Sequence, residues 1–176
     1  MEIILDSCVV RSWRWKDCDS LVRYANNRNV WLNLRDRFPH PYTKDDAKRW
    51  LEIATEIKPE TNFAIAVEGS AIGAIGFSVQ SDIAYRSAEI GYWLGEEFWG
   101  RGIATEALTA VSDYAFASYD LCRLYAHVFE WNLASARVLE KAGYTLEGRL
   151  KKSVTKDKQT IDQLLYARTI DQQTHL

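Results

Sequence analysis

The chain has 176 residues, 47% of them hydrophobic, which is enough for one domain to bury a core without cross-links. Its 22 Lys and Arg nearly balance 24 Asp and Glu, a formal charge of −2, and this excludes nucleic-acid binding through a broad basic surface. The cysteines Cys8, Cys18 and Cys122 are odd in number and lack CxxC spacing, so no disulfide framework or zinc site is expected, and no basic-then-apolar leader or membrane-length apolar run is present. A soluble, cytoplasmic protein without nucleic-acid or membrane partners is the expectation.

No repeat, low-complexity tract or linker interrupts the sequence, so one domain is expected over 1–170, with a polar tail at 171–176 that frays. Ile3 to Trp13 reads as a first strand, and Lys16 to Asn26 as a helix with Leu21, Val22 and Ala25 on its apolar stripe. Asn27 to Tyr42 reads as a loop held extended by Pro39 and Pro41. Its polar and aromatic side chains Arg35, Phe38, His40 and Tyr42 are candidates for contact with a substrate. Thr43 then caps a helix whose first turn carries Asp45 and Asp46.

Asn62–Glu68 and Ala71–Gln80 form a predicted hairpin about Glu68-Gly69-Ser70, and Ala88–Leu94 the next strand. Gly100-Arg101-Gly102 follows, a turn without β-carbons to keep a ligand from the backbone. The next helix buries one face through Ile103, Ala104, Ala107, Leu108, Val111, Tyr114 and Ala115. Its first amides have no intrahelical partner, and with the positive end of the helix dipole they favour a phosphate. A P-loop would place Lys and Ser/Thr after the second glycine, where this chain has Ile103-Ala104-Thr105. A dinucleotide fingerprint would end the next strand on an acid, but Asp120 precedes that strand.

Cys122 to Phe129 alternates Leu124, Ala126 and Val128 on one face with Arg123, Tyr125, His127 and Phe129 on the other. Asn132 caps a helix closed by Gly143, after which Thr145-Leu146 leads to a last strand at Asp162–Thr169. Strands interleaved with helices in this order predict a mixed α/β sheet with helices on both faces.

The run Glu89-Ile90-Gly91-Tyr92-Trp93-Leu94, then Gly100-Arg101-Gly102-Ile103-Ala104, then Asn132-Leu133-Ala134-Ser135 through Ala142-Gly143-Tyr144, resembles the GNAT N-acetyltransferases, in particular their RimJ/RimL-like branch. The resemblance spans nearly the whole chain. It implies a largely antiparallel central sheet in which one parallel strand pair, here Ala88–Leu94 and Cys122–Phe129, splays apart to admit the pantetheine arm of acetyl-CoA. Tyr92, Trp93 and Leu94 would offer backbone partners to that arm, Asn132 a side-chain hydrogen bond, and Gly102, Ile103, Ala104 and Thr105 amides to the pyrophosphate, with Arg101 free to meet the phosphates. The family motif usually has Gln or Arg before the first glycine, where this chain has Trp99.

By the same resemblance the chain acetylates a primary amine by direct attack in a ternary complex, with no metal. The branch implies a protein N-terminal amine as acceptor; polyamines, amino sugars and a non-catalytic acetyl-CoA-binding module are the alternatives. Members of the family often pair as homodimers, and no feature of this sequence decides for or against one. Glu89 and His127 are both candidates for the base that takes the amine's proton. The Tyr that protonates the leaving thiolate in many members falls at Leu139, whereas a Ser given that role in the RimJ/RimL-like branch matches Ser135. A helix cap would also account for Asn132 and Ser135.

Overall fold

The computed structural model describes residues 1–171; apart from Asp171, the expected tail lies outside the described residues. Eight strands form one sheet: β1 (Glu2–Ile4), β2 (Val9–Arg11), β3 (Asn62–Val67), β4 (Ser70–Val79), β5 (Ser87–Leu94), β6 (Arg123–Phe129), β7 (Thr145–Lys156) and β8 (Gln159–Thr169). Their order across the sheet is β1-β2-β3-β4-β5-β6-β8-β7, antiparallel throughout except for the β5–β6 pair. This is the mixed α/β sheet expected from the order of elements, and its largely antiparallel pairing with one parallel pair is what the family resemblance implies.

Alternation along the strands sorts two cores. Phe63, Ile65, Phe77, Ala88, Ile90, Leu124, Ala126 and Val128 face α4 (Ile103–Ser118) and α5 (Leu133–Lys141), which bury Leu108, Val111, Ala136 and Leu139 against them. Ala64 and Ala71 face α1 (Cys18–Ala25) and α3 (Lys44–Glu56), where Trp13, Leu21, Tyr42 and Leu51 fill the space above the small side chains. Both long helices start where the sequence places them. Thr43 and Asp46 form a reciprocal capping box on α3, and Gly102, with φ of 82°, opens α4.

Three expectations need correction. Ile3–Trp13 is two short strands, because Asp6-Ser7 breaks the apolar run and Leu5 N–H closes a turn on the Cys8 carbonyl at 2.9 Å. The segment Asn27–Tyr42 contains a short helix, α2 (Arg28–Trp31), capped by the Asn27 side chain, which accepts from the amides of Asn29 and Val30. Strand β7 is far longer than the Thr145-Leu146 passage the sequence suggests. It is an edge strand with an exposed, polar sequence, so it lacks an apolar alternation, and its turn into β8 uses Asp157 and Lys158, both at positive φ, without a glycine.

The parallel ladder is short. β5 and β6 pair at Ser87–Arg123, Ala88–Leu124 and Glu89–Tyr125, and no further. Beyond Glu89 both strands run on unpaired with each other, β5 to Leu94 on the edge of β4 and β6 to Phe129 on the edge of β8.

Candidate active site

The lapse in pairing fixes what faces the gap. At the two ends of the β4–β5 ladder, Gln80 N–H donates to the Ser87 carbonyl and Gly95 N–H to the Ile72 carbonyl, each at about 2.9 Å. That phase turns the backbone of Glu89, Gly91 and Trp93 toward β4 and leaves the peptide groups of Tyr92 and Leu94 facing the gap. Of the three residues expected to offer backbone there, Tyr92 and Leu94 are so placed and Trp93 is not. The Leu94 carbonyl already accepts the Trp99 indole N–H at 2.9 Å, which pins the residue that departs from the family motif.

At the end of β5 the glycine turn leads into α4. Gly100 and Gly102 adopt φ of 75° and 82°, and a β-carbon at either would meet nothing within 4 Å. The first helical bond of α4 runs from Glu106 N–H to the Gly102 carbonyl at 3.1 Å, so the amides of Ile103, Ala104 and Thr105 have no partner among the described residues. Open space at the two glycines, beside three unpartnered amides at the start of a 16-residue helix, fits an anionic pyrophosphate. Arg101 lays its guanidinium over the Phe98 ring at 5.4 Å, beside the turn.

Asn132 Oδ1 accepts the Ser135 amide at 3.1 Å, so the cap predicted for α5 is formed. The Ser135 hydroxyl has a further partner: the Tyr92 hydroxyl lies 2.9 Å from Ser135 Oγ and 3.2 Å from the Ser135 carbonyl oxygen. Burial drives the Tyr92 phenol above its ordinary value, against the lowering effect of the bond with Ser135. Leu139, at the family's tyrosine position, is fully buried in the core.

On the opposite face of the same strands the two base candidates form one unit. His127 Nδ1 lies 3.1 Å from Glu89 Oε1, and the Arg35 guanidinium also bonds Oε1. Glu89 Oε2 has no partner among the described residues. The hydrogen bond from His127 holds the Glu89 carboxyl below the usual carboxylate range; burial opposes it and the Arg35 charge assists.

Arg35 and His127 also line a cavity of about 330 Å³, together with Asp36, Phe129, Val154, Thr155, Lys156 and Gln163. Of the four loop candidates, only Arg35 lines it. Phe38 packs between Tyr42 and Trp93, with ring centroids 5.0 and 5.5 Å away, and Tyr42 is 5% exposed, so both belong to the packing beneath the loop. His40 stacks on Trp31 at 5.6 Å.

The β7 wall was not visible in the sequence. Lys156 is 2% exposed although its partner Asp36 is mostly in solvent; its Nζ donates to Asp36 Oδ1 at 2.7 Å and sits 3.6 Å from the centre of the Trp31 ring. Arg28 bonds Asp157 at 2.7 Å in the β7–β8 turn. A lysine flanked by Thr155 and Asp157 in a polar run carries no sign of burial; only the fold brings it under α2.

Residues 8–145 match the family described as Acetyltransferase (GNAT) domain. Ribosomal-protein-serine acetyltransferase of Escherichia coli (strain K12) is 37% identical over 111 residues, which are 63% of this chain and 62% of that protein. Spermidine N(1)-acetyltransferase of the same strain is 30% identical over 91 residues, 52% of this chain and 48% of that one. Among solved structures, Mycobacterium smegmatis RimJ in complex with CoA-disulfide superposes with a TM-score of 0.80 at 28% identity, over 92% of this chain and 81% of the other. No described helix is long and apolar enough to cross a membrane.

Proposed function

The chain belongs to the GNAT acetyltransferase family, and we propose that within it this enzyme acetylates the α-amino group of a peptide or protein N-terminus, with acetyl-CoA as donor. The observation that carries the choice of amine is the Glu89 carboxylate, which shares Oε1 with Arg35 and His127, is held acidic by them, and has only Oε2 to offer.

An α-amine has a reference pKa of about 7.8 and an alkyl amine about 10.4. Taking the proton from the second is harder by about 2.6 units, or about 3.5 kcal/mol. A carboxylate held below its ordinary range suits the weaker base. The cavity supports the same reading. Its one lining carboxylate, Asp36, is already paired with Lys156, and Glu89 is paired with Arg35, so a polyamine would find no unpaired anion there among the described residues.

Bound acetyl-CoA supplies the activated acetyl group. The amides of Ile103, Ala104 and Thr105 would hold its pyrophosphate, and the peptide groups of Tyr92 and Leu94 would offer hydrogen bonds to its arm. Glu89 Oε2 accepts the amine's proton, directly or through one water, while His127 and Arg35 keep the carboxylate ionised and oriented. Gly91 leaves space between Glu89 and Trp93 on the acceptor face, since a β-carbon there would meet nothing within 4 Å.

The test is thiol release from acetyl-CoA with peptides bearing Ser, Ala or Thr at the N-terminus, beside spermidine and amino sugars. Peptide-dependent release that exceeds the spermidine rate at equal concentration is expected. A spermidine or amino-sugar rate above that of every peptide would overturn the choice of acceptor.

A further inference from the structure

The site lacks the tyrosine acid at Leu139, yet it holds a tyrosine hydroxyl elsewhere. Tyr92 reaches from β5 to the first turn of α5, where its hydroxyl meets Ser135 Oγ at 2.9 Å. The two elements are far apart in sequence, and they are joined at this point by polar atoms while the surrounding contacts are apolar. Asn132 fixes the Ser135 backbone from the other side through the cap. A serine on a cap alone has no need of a second hydroxyl.

We propose that Tyr92 is a positioning residue for the proton that the leaving sulfur takes: its O–H donates to Ser135 Oγ and so turns the serine's own proton into the gap. The inference rests on the acetyltransferase reading above. As the carbon–sulfur bond of the thioester breaks and the carbon–nitrogen bond forms, Glu89 receives one proton from the amine. Ser135 delivers one to the sulfur and is re-protonated from solvent as Glu89 releases the amine's proton there, so charge and protons balance and Tyr92 keeps its own proton throughout. Burial of the phenol keeps its proton in place at neutral pH. The other arrangement open to the phenol is donation to the Ser135 carbonyl at 3.2 Å, which would tie down the helix start and leave Ser135 Oγ–H pointing at Tyr92. The two arrangements predict different kinetics.

In the full chain, Tyr92→Phe keeps the ring and removes only the hydroxyl. Its expected effect is a fall in kcat of roughly tenfold to a hundredfold, with acceptor KM and the calorimetric Kd for CoA within about twofold of the parent. Ser135→Ala should show a similar fall, and the double variant should be no slower than Ser135→Ala alone, because the two groups act in series. A donor whose leaving thiol is markedly more acidic should restore most of the Tyr92→Phe rate. Full kcat in Tyr92→Phe, a loss confined to CoA affinity or melting temperature, additive losses in the double variant, or no rescue by the acidic thiol would each overturn the proposal. If the parent binds CoA but turns over no acceptor, it is the acetyltransferase reading that has failed.

Discussion

The two halves of the site are built by different means. The donor half, at the end of β5 and the start of α4, is made of backbone: two glycines at positive φ, three free amides and a strand edge left open by the lapse in pairing with β6. The acceptor half is made of side chains from four separated segments, with Arg35 and Asp36 from the loop after α2, Glu89 from β5, His127 from β6 and Lys156 from β7. Local sequence can specify the first, because a turn and a helix start are contiguous. The second exists only once the sheet is assembled.

The sharpest way to break the acceptor half is Glu89→Gln, which keeps the side chain's shape and removes the proposed base. Peptide-dependent kcat/KM should fall by roughly 10²–10⁴ while the Kd for acetyl-CoA stays unchanged in calorimetry. An equal loss of cofactor affinity would mean that the two halves are not separable. The corresponding change on the donor side is Gly102→Ala. The added carbon meets no atom, so its cost is the left-handed backbone alone, about 1–2 kcal/mol. If the cradle has to keep this conformation to bind, cofactor Kd should weaken by about tenfold, with acceptor KM little altered.

The Lys156–Asp36 pair separates support from chemistry. Asp36→Ala leaves a buried ammonium without its carboxylate and should lower stability by about 2 kcal/mol in a urea titration. Lys156→Met leaves behind only a solvent-exposed carboxylate and should cost less, yet both should raise acceptor KM by loosening the loop that carries Arg35. A larger loss of stability from Lys156→Met than from Asp36→Ala would refute this account. The smallest expected effect is electrostatic. The Glu89 carboxyl titrates below an ordinary Glu, so the stability it contributes is present above the unfolded value of about 4.3 and lost as pH falls through the lower folded one. Arg35→Gln should move the Glu89 midpoint upward in a ¹³C titration of the carboxyl group.

The contrast also describes what the sequence made legible. The turn about Gly100 and Gly102, the caps at Thr43 and Asn132 and the alternation of β6 all stand in the fold as the local rules require. Glu89 and His127 were both visible as candidates, but their spacing in sequence says nothing of the 3.1 Å contact that makes them a pair. Phe38 and Tyr42 look like loop residues by their neighbours and prove to be packed, since the segment folds back over Trp93. The long polar strand β7 escaped notice for the opposite reason: an edge strand with solvent on one side has no need of an apolar period.

β5 serves both halves through its parity. Ala88, Ile90, Tyr92 and Leu94 send their side chains toward α4 and α5, while Glu89 and Trp93 send theirs toward the loop. The strand is therefore a reading frame as well as a wall. One residue inserted within β5, between Glu89 and Ile90, would leave Glu89 in place and, once the ladder with β4 closes again, turn every later side chain to the other face, sending the Tyr92 phenol toward the loop and the Trp93 indole toward α4 and α5. Two inserted residues would preserve parity and only displace the groups along the gap. A ladder of such insertions would scramble the polarity of the site with odd steps and retain it with even ones, a periodic response that neither helix of the donor side could produce.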